Sequence, residues 1–285
     1  MLTLRAVLHR ITREPRSAGT SAVPVALLVA AVLLGQTAPP QAPGPSSGAV
    51  IESESRITPP PPLYAFPNGQ ALSYDVEWRL LTAGSATLRI EVSGNEERVT
   101  VAADSTGVFS VLYPVHDRFD AQFDPHTFCS TRITKHTEEG FRRLDTSIRF
   151  DYARHKSVLQ EKNLKSGQSK QDENDIPGCV TDVLSGIFYL GSRLLQVGQT
   201  YTFPLNDGGK TNDVRARVEA REQIKTPAGT FHTLRVQPES SSGVVRSKGR
   251  IWIWYSDDAS HIPVQMRARL FWGTITFRLT RVEKK

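Results

Sequence analysis

The sequence predicts a mainly β domain: an antiparallel meander forming a strongly curved sheet or open barrel, with one helix at about residues 182–196 packed on it. Three observations carry this reading. From Asn68 onward, apolar and polar residues alternate with period two, the mark of strands buried on one face. Short turn-forming groups separate the runs, leaving no room for the helices that parallel strands require. One stretch, Asp182 to Gln196, changes to helical spacing.

The strands follow in order. Leu72, Tyr74, Val76, Trp78 and Leu80 alternate with Ser73, Asp75, Glu77 and Arg79. The pattern recurs at Ala86-Leu88-Ile90-Val92, Val99-Val101-Ala103, Leu144-Thr146-Ile148-Phe150 and Val214-Ala216-Val218-Ala220. It closes with Val264-Met266-Ala268-Leu270-Trp272 and Ile275-Phe277-Leu279. Turn chemistry punctuates these runs at Pro67-Asn-Gly69, Ser93-Gly-Asn95, Glu139-Gly140, Asn206-Asp-Gly-Gly209, Pro227-Ala-Gly229 and Trp272-Gly273. Roughly a dozen short strands result. In the helical stretch, Val183, Ile187, Leu190 and Leu194 share a stripe; Thr181 or Asp182 is the N-cap, and Gly198 lies just past the end. A lone apolar helix is the natural cover for the apolar face of a meander.

The first 67 residues have a different composition. Eleven of the eighteen prolines fall before Asn68. Residues 1–38 read as an export signal: Arg5, Arg10, Arg13 and Arg16 precede an apolar run from Val23 to Leu34 that is shorter than a bilayer span. Ala38 before Pro39 is a poor cleavage context, so an uncleaved inner-membrane anchor is the alternative. Residues 39–66, rich in Pro and Ser, read as an extended linker, and 67–285 as the β domain. Without the leader the formal charge falls from +6 to about +3, which gives no electrostatic case for nucleic acid. In an exported, periplasmic or secreted domain, Cys129 and Cys179 read as a structural disulfide; a redox pair is the competing reading, but no C-x-x-C motif is present.

Several ordered motifs carry a resemblance. Phe66-Pro-Asn-Gly-Gln-Ala-Leu-Ser-Tyr-Asp-Val-Glu-Trp78 with Ala83-Gly-Ser-Ala86, then Thr226-Pro-Ala-Gly-Thr-Phe231, Gly249-Arg-Ile-Trp-Ile-Trp-Tyr-Ser-Asp-Asp258 and Ile262-Pro-Val264 resemble the bacterial exported family DUF3108, a domain of unknown function. The resemblance spans Pro67 to Arg281. It implies a β-rich periplasmic or secreted domain, and it brings no catalytic residues. The inferred architecture is also similar to the open-barrel lipoprotein carriers of the LolA type.

No motif for covalent chemistry survives inspection. Gly208-Gly-Lys-Thr211 lacks the earlier glycine of a phosphate-binding loop and reads as a hairpin turn. Tyr255 to His261 gathers hydroxyl, carboxylate and imidazole groups on one turn, where they do not converge on a reacting atom. Asp124-Pro-His126 reads as a strand-ending turn, and the other histidines lack the pairing of a zinc site. No catalytic residue, metal or cofactor is expected. The aromatic residues suggest binding instead. Trp252 and Trp254 share one face of a strand whose other face carries Ile251, Ile253 and Tyr255, so a helix, a second sheet or a ligand must cover the second face. Core packing against Phe188 and Tyr189 is one reading. The other has Trp78, Trp252, Trp254, Trp272 and Phe188 lining a cavity for an apolar ligand. The function expected is non-catalytic binding of a lipid or other apolar small molecule, or of an envelope protein. An interaction module with a filled core is second, and a hydrolase-like enzyme third. Membrane contact is expected only through an uncleaved leader.

Overall fold

The computed structural model describes residues 56–284 apart from 63, 65, 241–248, 271 and 272, so the leader, the first part of the linker and Trp272 lie outside the described residues. Fourteen strands form one antiparallel sheet: β1 (Gln70–Trp78), β2 (Leu81–Ser93), β3 (Glu96–Ser105), β4 (His116–Phe123), β5 (Ser130–Glu139), β6 (Arg142–Asp151), β7 (Lys156–Asn163), β8 (Ser169–Asp175), β9 (Thr200–Asp207), β10 (Lys210–Thr226), β11 (Gly229–Ser240), β12 (Arg250–Ser256), β13 (Pro263–Leu270) and β14 (Gly273–Lys284). Two helices interrupt it, α1 (Val108–Leu112) and α2 (Val183–Gly191).

The spatial order runs from β8 down to β1, then from β14 down to β9. The first and last strands therefore pair at the centre, from Gln70↔Lys284 to Trp78↔Ile275. The unpaired edges, β8 and β9, are consecutive in the chain, and α2 is inserted between them. The sheet does not close by strand pairing; the segment between β8 and α2 stitches the gap. Thr181 forms a parallel bridge with Leu205, its N–H donating to the Pro204 carbonyl at 3.1 Å and its carbonyl accepting from Asn206 at 2.7 Å. On the other side, the Ser130 N–H donates to the Val180 carbonyl at 2.9 Å. The Cys129–Cys179 disulfide pins this segment to the start of β5. The tip of the β9–β10 hairpin adds a second stitch, with Ser157 Oγ donating to the Gly209 carbonyl at 3.1 Å and Lys135 Nζ to Asp207 Oδ1 at 2.8 Å. The Gly208-Gly209 pair is a hairpin turn, and both residues have positive φ.

Alternation places Leu72, Tyr74, Leu88, Ile90, Val99, Ala121, Phe123, Ile133, Ile148 and Leu159 on the inner face, all buried in the core that α2 shares. Asp182 is the N-cap: its carboxylate accepts from Leu184 N and Ser185 N, and Ser185 Oγ accepts from Asp182 N, a reciprocal cap of two orphan donors. The helix is shorter than the sequence suggests, ending at Gly191, where Ser192 Oγ bonds back to the Tyr189 carbonyl. Leu194 is consequently 68% exposed rather than part of the apolar stripe. Nor is the stripe the whole contact, since Leu184, Phe188, Tyr189 and Leu190 are all buried while Val183 and Ile187 are half-buried. A helix enclosed by a curled sheet is covered on most sides, so the usual one-sided pattern is lost. Gly186 and Gly191 fit this enclosure, because a Cβ on Gly191 would lie 3.0 Å from the His261 carbonyl. Tyr255 Oη donates to the Ile187 carbonyl at 2.7 Å, fixing the helix to β12.

The packed body begins upstream of Pro67. Phe66 makes edge contacts with Phe123, Phe128 and Phe188, and Arg193 holds Thr58 Oγ1 at 2.6 Å and the Pro59 carbonyl at 3.0 Å. Tyr64 also packs against the core. The end of the Pro-rich stretch is thus part of the domain rather than free linker.

Candidate functional site

The aromatic residues singled out in the sequence do not meet. Phe188 is in the core on α2. Trp254 is buried on the opposite face of β12, where its Nε1 donates to Glu222 Oε2 at 2.9 Å and the Arg267 guanidinium stacks 5.3 Å from its ring. Arg235 pairs with Glu219 at 2.8 Å and with Glu222, completing the cover. The second face of β12 is therefore closed by charged side chains of β10, β11 and β13, whose stems and ring contacts suit an indole. Trp252, half-buried, lies on that same outer face opposite Arg267. Trp78, at the far end of β1, packs edge-on against Phe109 at 5.8 Å. The pleat separates the pair on β12 from Phe188 by the thickness of the sheet.

In a meander, alternate turns fall at the same end. One end carries the linker residues, the disulfide and α2. The other, here called the open end, carries the β1–β2, β5–β6 and β7–β8 turns and α1. Of the twelve large apolar residues exposed among the described residues, eight are at the open end: Leu80, Leu81, Val108, Val111, Leu112, Tyr113, Phe141 and Leu164. Leu80 is 92% exposed in a turn rather than at the end of a strand. These segments touch one another. Thr106 N donates to the Ala83 carbonyl at 3.0 Å, Gly140 N to Pro114 at 2.8 Å, and Leu164 N to Arg143 at 2.9 Å.

Beneath that end the inner face changes character. Around α2 it is filled, but towards the open end Val76, Val101, Ala103, Phe119, Ile251, Met266 and Phe277 are half-buried. Register places them side by side: Val76 pairs with Phe277 and Phe277 with Met266, while Val101 pairs with Phe119. Further round, the same row becomes polar at Lys135, Thr146 and Glu161. The result is a one-sided apolar inner wall with a filled floor and an apolar rim.

The outer face of β2–β8 carries a groove of about 1000 Å³ whose lining includes Arg89, Thr100, Arg118, Thr134, His136 and Lys162. Its charges are largely matched internally. Arg118 reaches Asp104 at 2.9 Å, and His136 reaches Asp145 at 2.6 Å, a bond that raises the imidazole above its usual value. Near the open end, burial and the neighbouring Glu139 push Asp117 up to about 6. At the opposite end burial raises Glu97, despite the hydrogen bond from Asn68 Nδ2 at 2.9 Å.

The turn motifs have structural work. Asp124 Oδ1 accepts from His126 N and Thr127 N, a side-chain-closed turn. Asp258 Oδ1 gathers Ser256 Oγ, Ser260 N and His261 N; burial opposes its charge, but these bonds outweigh it and hold the carboxyl below its usual value. His261 Nδ1 is bonded to the Gly191 carbonyl at 2.7 Å, pinning the end of α2. Among the described residues no three His, Cys, Asp or Glu side chains gather as metal ligands.

The residues that sequence reasoning missed are those of the rim. Their signal was large apolar side chains at turn positions: Leu80-Leu81, Val111-Leu112, and Phe141 after Gly140.

No curated protein matches the sequence. Among solved structures, a β-barrel-like protein of the DUF1849 domain of unknown function from Brucella abortus aligns at TM-score 0.55 and 9% identity, over 78% of this chain and 99% of that one. A candidate exported protein of Bacteroides fragilis with a YmcC-like fold aligns at 0.36 and 10% identity over 78% and 99%. A candidate lipoprotein of Parabacteroides distasonis aligns at 0.28 and 10% over 81% and 100%. The first of these likenesses is one of fold. The sequence itself matches, over residues 73–280, the profile described as a protein of unknown function, DUF3108, and the chain belongs to that family.

Proposed function

We propose that this is an exported, non-catalytic domain of the cell envelope that binds an apolar molecule, or an apolar segment of an envelope partner, at the open end of its barrel. The observation that carries the reading is the gathering of exposed apolar residues around an inner wall that is itself only half-covered. Soluble domains seldom leave such a patch without a partner. Export is supported by the leader in the sequence and by the Cys129–Cys179 disulfide, which suits an oxidising compartment. A binding role without covalent chemistry fits titratable groups that are engaged in turns, caps and ion pairs rather than aimed at a shared reacting atom.

The ligand wall in this reading is made by Val76, Val101, Ala103, Phe119, Met266 and Phe277 instead of the tryptophans. Titration with a fluorescent fatty acid tests it. Met266→Glu, at a half-buried position, should weaken probe binding by roughly tenfold or more while leaving the melting transition in place. Unchanged affinity in a folded variant would remove the apolar-ligand role. The filled floor around α2 favours a second reading, an interaction module that takes up no small molecule; a clean apo mass in native mass spectrometry, with no probe uptake, would select it.

A further inference from the structure

The open end carries charge as well as apolar surface. Arg79, Arg142, Arg143 and Lys165 are all exposed and lie at or next to its turns. Acidic neighbours are set further in. Arg142 is 61% exposed against 36% for Glu139, 3.9 Å away, and Arg143 is 46% exposed against 24% for Glu138, 2.9 Å away. The outermost charges of the β5–β6 turn are therefore cationic. Lys165 Nζ stands 5.1 Å over the Phe141 ring and the Arg79 guanidinium 5.1 Å over Trp78, so cation and apolar surface occur together at two separate turns.

Apolar tips flanked by cations match the layering of a bilayer, where acyl chains lie beneath anionic phosphates. A folded protein partner would ask for something different: a continuous groove, or a central apolar cluster with a polar rim. Here the exposed apolar side chains are carried by several adjoining turns, the β1–β2 turn, α1 and the β5–β6 turn. A fluid surface accommodates tips on several turns without needing to match their shape. The described end of the Pro-rich stretch packs at the opposite end, where Arg193 holds Thr58 and Pro59.

We infer that the open end docks on an anionic bilayer surface, Leu80, Val111, Leu112 and Phe141 entering the acyl boundary while Arg79, Arg142, Arg143 and Lys165 meet lipid phosphates. This adds a second membrane contact to the one the leader could make. It rests on the apolar end assigned above, and it also names what that end meets first: a ligand drawn from a membrane would enter beside the rim.

The test is sedimentation of the full chain with vesicles of phosphatidylcholine, alone or mixed with phosphatidylglycerol. Val111→Asp/Leu112→Asp changes two exposed positions and should leave the melting transition unchanged, while weakening binding to the anionic vesicles by roughly tenfold or more. Leu194→Asp, equally exposed but at the opposite end, should bind like the parent. Binding of the parent should also fall as salt rises, because phosphate attraction is screened. Equal binding of Val111→Asp/Leu112→Asp and the parent would overturn the inference, as would equal binding to neutral and anionic vesicles. Fatty-acid titration of the same variants without vesicles separates the two proposals: loss of vesicle binding with probe uptake retained supports docking by the rim, whereas loss of probe uptake alone counts against docking.

Discussion

Ser130, the first residue of β5, donates its hydroxyl to the carboxylate of Asp182, the N-cap of α2, at 2.7 Å, and both residues are fully buried. The Ser130 Oγ also accepts from the Asp182 N–H at 2.7 Å. One hydroxyl thus joins the rim of the sheet gap to the start of the enclosed helix. Removing the carboxylate strands the Leu184 and Ser185 N–H groups out of reach of water. Asp182→Ala should therefore cost roughly 3 kcal/mol or more, the sum of a lost cap and unsatisfied buried donors. Urea denaturation measures it; a loss below about 1 kcal/mol would mean that the buried knot is dispensable.

The disulfide acts on the same segment. Cys129 and Cys179 are 50 residues apart, a loop for which chain entropy predicts about 4 kcal/mol. The double Cys→Ser variant should lose stability of that order, and hydrogen exchange at Val180, Thr181 and Asp182 should quicken more than at Leu88 or Val99. Non-reducing mass spectrometry of exported protein should find no alkylatable thiol.

Asp117 sets a pH dependence. Its carboxyl is pushed to about 6 by burial and by Glu139. Between its ordinary value of 3.8 and about 6, the folded protein holds a proton that the unfolded chain has released. Unfolding then releases that proton, so stability falls as pH rises through this window and is level above it. The two-unit shift corresponds to roughly 3 kcal/mol before solvent screening reduces it. Melting temperatures from pH 4 to pH 8 should show the decline in the parent and a flatter profile in Asp117→Asn. A profile rising over that range in the parent would contradict the assignment.

Trp254 distinguishes packing from binding. Its ring is closed off by Glu222 and Arg267 on the outer face. Trp254→Ala should cost roughly 3 kcal/mol in denaturation. Fatty-acid affinity of the folded variant should stay at the parental value; a large loss would place the ligand on the outer face of β12 instead.

Much of this fold was legible because its strands alternate cleanly wherever α2 backs them. Leu88 and Ile90 on β2, or Ile148 and Phe150 on β6, announce an inner face. The signal fades where the inner face meets solvent or charge. In β8 (Ser169–Asp175) no residue is buried, and in β5 the row passes through Lys135, which is committed to Asp207. Period two also says nothing about where a strand stops, so Leu80 reads as one more inward residue although the chain has already turned. The N-cap of α2 was readable in Asp182, whereas the end of the helix depended on Ser192 and on His261, a distant residue. At β12 the need for cover on both faces was legible. Its supply was not, since Glu222, Arg235 and Arg267 come from three other strands and betray no apolar pattern.

The β1–β14 seam has a consequence for the order in which the chain is made. β1 emerges first, but the strand that completes its other side is the last to arrive. Until then, the middle of the sheet is a raw edge of unpaired backbone flanked by Leu72 and Tyr74, while the hairpins from β2 to β8 can already assemble in succession. Such late long-range closure is slow and prone to wrong partners. A stop codon before Gly273 would therefore do more than shorten the chain: it would leave two internal strands, β1 and β13, as permanent edges, and the truncated product should appear as aggregate rather than as a smaller folded domain.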